Sequence, residues 1–171
     1  MKAALIALLF AASTFAQTPQ VVGPAACGAG DVNFDVKLDK TQHTLAQPEA
    51  GKALIYFILD AGTPYTLGYP TIKLGIDGAW VGANKKSSYF SVSVAPGEHH
   101  LCVTVQSHRP WENVELTQVT AEAGKVYFYR TRLISIGSME LNPVVSDEAK
   151  YLIDAFPLST SRPRKDVAPK P

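Results

Sequence analysis

Tyr89–Gln106 reads YFSVSVAPGEHHLCVTVQ, and its pattern decides the fold class. Phe90, Val92 and Val94 alternate with Ser91 and Ser93, then Leu101, Val103 and Val105 alternate with His100, Cys102 and Thr104. A period of two places each apolar set on one face of a strand. Between the two runs, Ala95-Pro96-Gly97-Glu98 turns the chain, because proline presets φ and glycine tolerates the left-handed region. Two half-buried strands joined by a tight turn require a second layer to cover their apolar faces.

The same pattern extends outward in both directions. Upstream, Ala53–Leu59 (ALIYFIL) is too short for a typical helix, and its Ile, Tyr and Phe favour a strand covered on both sides. Thr71–Ile76 follows, and Asp77-Gly78 separates it from Ala79–Gly82, the strongest short hairpin signal in the chain. Asn33–Leu38 alternates with Phe34, Val36 and Leu38 inward. Downstream, Asn113–Thr120, Val126–Ile134 and Met139–Leu141 are further strand candidates. Ser146 with Asp147 and Glu148 marks the start of one short helix that Pro157 closes. The expectation is an all-β chain: one β-sandwich or partly open barrel of about seven or eight mostly antiparallel strands, with one short C-terminal helix.

The N-terminus carries different information. Met1-Lys2, the apolar run Ala3–Ala12 and small residues up to Ala16 have the order of an export signal cleaved after residue 16. The run is too short to span a hydrocarbon layer of about 30 Å, and no later stretch is longer, so no transmembrane segment is expected after cleavage. The expected plan is a signal peptide over 1–16, a leader over 17–30, a sandwich domain over 31–158 and a flexible basic tail over 159–171. An exported chain belongs to the periplasm or the extracellular space. Pro24 and the distance from the apolar run argue against lipid attachment at Cys27.

Cys27 and Cys102 are the two cysteines. In an oxidising compartment they read first as a disulfide, whose loop of about 75 residues would remove up to roughly 4.5 kcal/mol of unfolded-state entropy. Cys102 lies opposite the Leu101/Val103/Val105 stripe, so the leader bearing Cys27 is expected across the outside or the edge of that sheet. A net charge of +1 supplies no field for nucleic acid. Hydrophobic content of 46% argues for a packed interior.

No nucleophile elbow or phosphate loop is present. His99 and His100 beside Cys102, with His43 and His108 elsewhere, are the nearest approach to a metal set. Adjacent strand residues point to opposite faces, so a shared ion is not expected, and no cofactor is implied. Candidate binding residues are Tyr69, Trp80 and Trp111, which fall near turns and could offer rigid aromatic area, and Arg130 and Arg132 on one strand face. Pairing of the arginines with Glu115 or Glu122 across a sheet is the preferred reading, and a small anionic docking site is the other. The leading expectation is a non-enzymatic envelope domain that is structural or binds a protein or cell-wall component. The alternatives are a small-ligand or metal carrier with a pocket near His99, His100 and Trp80, and a hydrolase.

Residues 51–142 resemble uncharacterised bacterial exported proteins with a DUF2846-type domain. The resemblance rests on Gly51–Phe57, Ile76-Asp77-Gly78 with Val81-Gly82, Tyr89-Phe90 with Val94–His99, and Ala123–Phe128. The order of strand, Asp-Gly turn, strand and Pro-Gly-Glu-His turn is also similar to PEGA-type envelope modules. What the resemblance implies is a β-rich envelope domain; it assigns no catalytic or binding residue.

Overall fold

The computed structural model describes residues 26–28, 32–43, 45–62, 68–106, 113–135 and 138–164. The expected export segment 1–16, most of the expected leader, His108, Trp111 and residues 165–171 lie outside the described residues.

Ten strands and one helix are present among the described residues. The strands are β1 (Phe34–Asp39), β2 (Ala53–Asp60), β3 (Thr71–Ile76), β4 (Ala79–Lys85), β5 (Ser88–Val94), β6 (Gly97–Val105), β7 (Val114–Ala121), β8 (Val126–Ser135), β9 (Ser138–Pro143) and β10 (Leu158–Pro163); α1 spans Ser146–Ala155. They form a six-stranded sheet in the order β1-β10-β5-β2-β8-β9 and a four-stranded sheet in the order β4-β3-β6-β7. Most pairings are antiparallel, with parallel contacts between β2 and β8 and between β10 and β5.

Burial follows the period of two. Ile55, Phe57 and Leu59 of β2 meet Ile72, Leu74, Leu101 and Val103 of the facing sheet in the main core. Leu54, Tyr56 and Ile58 point to the other side and pack beneath Ala149, Leu152 and Ile153 of α1. The helix is therefore what covers the second face of the most apolar strand. At the hairpin, Asp77 and Gly78 both adopt positive φ, 50° and 83°, which is the backbone of a turn matched to strand twist.

The expected tail is corrected at its start. Residues 158–163 do not extend into solvent; they form β10, inserted between β1 and β5. The six-residue register Phe34↔Pro163 to Asp39↔Leu158 holds it to β1, and the Arg164 N–H continues the bonding to the Asn33 carbonyl. Ser, Thr, Arg and Pro over this stretch have the composition of a solvated tail, yet proline is tolerated at a strand's end. Two of its serines also close the seam between the sheets: the Ser159 hydroxyl donates to the Ala83 carbonyl at 2.8 Å, and the Ala83 N–H donates to Ser161 Oγ at 2.9 Å.

Candidate functional site

The outer faces of the two sheets carry different structures. On the four-stranded sheet, Cys27 and Cys102 are joined in a disulfide with no exposed surface at either residue. Ala26–Gly28 lies across this face as a strap, with the Gly78 N–H donating to the Ala26 carbonyl at 3.0 Å. Gly75 makes this approach possible, since a Cβ there would fall 2.2 Å from the Cys27 carbonyl oxygen. Trp80 packs over the disulfide with Val114, and the Lys73 ammonium lies 4.3 Å from the centre of its ring. The expected placement of Cys102 away from the core stripe, with the segment bearing Cys27 across the outside, agrees with this arrangement of Ala26–Gly28. Trp80 is thus part of the cover of the disulfide rather than an open ring.

On the six-stranded sheet the outer face holds a groove of about 370 Å³ beside α1. Its floor is Val126 and Phe128 of β8, one wall is Leu45–Gln47, and the other is Pro143, Val144, Ser146 and Lys150. The Leu45–Gln47 wall is held down by Tyr56, whose hydroxyl accepts the Ala46 N–H at 2.6 Å. Nearby, Tyr89 donates its hydroxyl to the Gln42 carbonyl at 3.1 Å. Burial raises the pKa of both phenols, which keeps the Tyr89 hydroxyl protonated as the donor to Gln42. Val145 and Tyr151 of the helix region are 72% and 74% exposed.

Among the described residues, those nominated from sequence do not converge. Tyr69 packs against the main core. Trp80 sits on the outer face of one sheet, whereas Arg130 and Arg132 sit on the outer face of the other. Trp111 lies outside the described residues. The proposed partners of the arginines are corrected as well. Arg130 pairs with Glu148 in the first turn of α1, and Arg132 Nε lies 4.0 Å from Asp60 Oδ2. Even-numbered β8 residues follow Phe128 toward the helix, while Glu115 belongs to β7 of the opposite sheet, out of their reach. The groove beside α1 is a concavity lined by none of His99, His100 and Trp80.

His99 forms a lock between two turns. Its Nδ1 is 2.5 Å from Asp77 Oδ2 and its Nε2 is 2.7 Å from the Ala95 carbonyl. Asp77 also accepts the His100 N–H through Oδ1 at 2.8 Å. Both ring nitrogens face acceptors, an arrangement that only the imidazolium satisfies in full. Burial opposes the charge, but the Asp77 and Ala95 bonds outweigh it and hold the pKa above the ordinary 6.5. A general base needs a free ring nitrogen facing its nucleophile, and here Nε2 faces a carbonyl. His43 is engaged in the same way, with Nδ1 at 3.2 Å from the Ile153 carbonyl and Nε2 at 2.9 Å from the Lys40 carbonyl. Among the described residues no group of three or more His, Cys, Asp or Glu side chains is placed to hold a metal ion. No helix of the described residues is long and apolar enough to cross a membrane.

Sequence reasoning missed Leu45, Val144 and Lys150 as neighbours. Leu45 falls in a stretch without period, and Lys150 reads as one polar residue on an amphipathic helix. Their proximity exists only once α1 packs on β2 and β8.

No protein-family model matches this sequence, and no curated protein matches it.

Proposed function

We propose that this chain is an exported, non-enzymatic envelope domain that binds another envelope protein or a cell-wall component through the groove beside α1. The observation that carries the reading is the fully buried Cys27–Cys102 disulfide, which fixes the leader onto the sandwich and suits an oxidising compartment. The export pattern of residues 1–16 agrees with that compartment. The groove supports a binding role because its lining is mostly apolar. The engagement of His99 and His43 with carbonyl and carboxylate acceptors supports a structural rather than a catalytic use of those rings. Kinship with DUF2846-type and PEGA-type envelope domains is part of the proposal, supported by the turn residues that carry the resemblance.

The test is retention of purified mature protein on native envelope fractions and on isolated peptidoglycan. Ala46→Trp, at an exposed position of the groove wall, serves as the blocked variant. Retention of the parent protein and its loss in the variant are expected. Folded parent protein that passes through both matrices unretained overturns the reading.

A further inference from the structure

The groove beside α1 has one charged residue among those that line it, Lys150. Among the described residues no carboxylate lines it, and Glu148, two residues before Lys150, is engaged by Arg130. The floor and walls otherwise present Leu45, Val126, Phe128 and Val144 to whatever enters. Gln47 and Ser146 add hydrogen-bonding groups on opposite walls. An apolar body with one negative charge at its end matches this distribution, with the charge set against Lys150. The hydrogen-bonding groups favour a peptide over an acyl chain, since a peptide backbone brings donors and acceptors that a hydrocarbon lacks.

We infer that the groove recognises the C-terminus of a partner protein, seating a large apolar last residue on Val126 and Phe128 with its free carboxylate at Lys150. This rests on the binding role proposed above and names the chemistry of the partner. The groove's volume, about 370 Å³, lies within the range of small recognition sites and suits one or two residues rather than a folded surface.

Synthetic hexapeptides ending in Leu, Phe or Val, each as free acid and as amide, test the inference by titration calorimetry with the mature protein. The free acids should bind about tenfold tighter than the amides, the worth of one charge-assisted contact. Lys150→Gln should bring acid and amide to near parity, and Ala46→Trp should abolish both. Both positions are exposed, so the variants should keep the parent's melting temperature. Equal binding of acid and amide, or no peptide binding, overturns the inference. Binding of decanoate in place of the peptides also overturns it and assigns the groove to an acyl chain. Envelope retention that persists in Lys150→Gln and Ala46→Trp, without peptide binding, removes this inference and the groove while leaving an envelope-binding role on another surface. Absence of retention removes the role itself.

Discussion

Gly75→Ala isolates the contact between the strap and the four-stranded sheet. The added Cβ would lie 2.2 Å from the Cys27 carbonyl oxygen, 2.8 Å from its carbonyl carbon and 2.9 Å from its Cα. All three are backbone atoms of a residue held by a disulfide, so no side chain can rotate away. Overpacking of this kind costs about 1–3 kcal/mol. Without the strap the sign should reverse, because glycine inside a strand is about 0.5–1 kcal/mol less favourable than alanine. The assay is urea and thermal unfolding of Gly75→Ala in two backgrounds: the oxidised mature protein, and a chain beginning at Asp31 with Cys102→Ala. In the first, the substitution should lower the melting temperature by several degrees, at roughly 2–4 °C per kcal/mol. In the second, it should leave stability unchanged or raise it slightly. The difference between backgrounds measures the coupling directly. An equal loss in both would show that the crowding at Gly75 comes from within the sheet, and the account of the strap would fail.

Three other expectations follow from the contacts. His99 and His43 have pKa values raised in the fold, so their stabilisation is complete below the unfolded value of 6.5 and is lost as pH climbs through the higher folded values. The urea midpoint should therefore fall from about pH 6 upward, and His99→Asn should flatten that fall; a midpoint that rises over this range contradicts the lock. Ser159→Ala should cost about 1–3 kcal/mol, since it leaves the Ala83 carbonyl without its partner in a buried seam; a neutral result means the seam is held by packing alone. Arg130→Met should cost no more than about 1 kcal/mol, because the Glu148 side chain of the pair is 41% exposed and screened by water; a much larger loss in chemical denaturation would mark the pair as a buried one.

How far the site was legible in the sequence differs from residue to residue. The Asp77-Gly78 turn and the alternation in Tyr89–Val105 are local facts, and the backbone obeys them because steric preferences and side-chain period act over a few residues. The strand status of Ala53–Leu59 and its burial on both faces follow from the absence of any polar position. Leu158–Pro163 shows the opposite case. Its residues favour no state strongly, so a vacant position between β1 and β5 and two serines facing Ala83 determine its structure. Likewise the position of Trp80 near a turn does not say by itself what covers its ring. The strap and Lys73 settle that.

Local pattern was enough for the all-β class, the pairing of Cys27 with Cys102 and the places where strands begin and turn. Each of these depends on composition or on neighbours a few residues apart. Tertiary structure alone decided which strands share a sheet, where the helix lies, and that Leu45, Phe128, Val144 and Lys150 surround one groove. Those residues lie far apart along the chain, and only the packing of α1 and the Leu45–Gln47 segment against the six-stranded sheet brings them together.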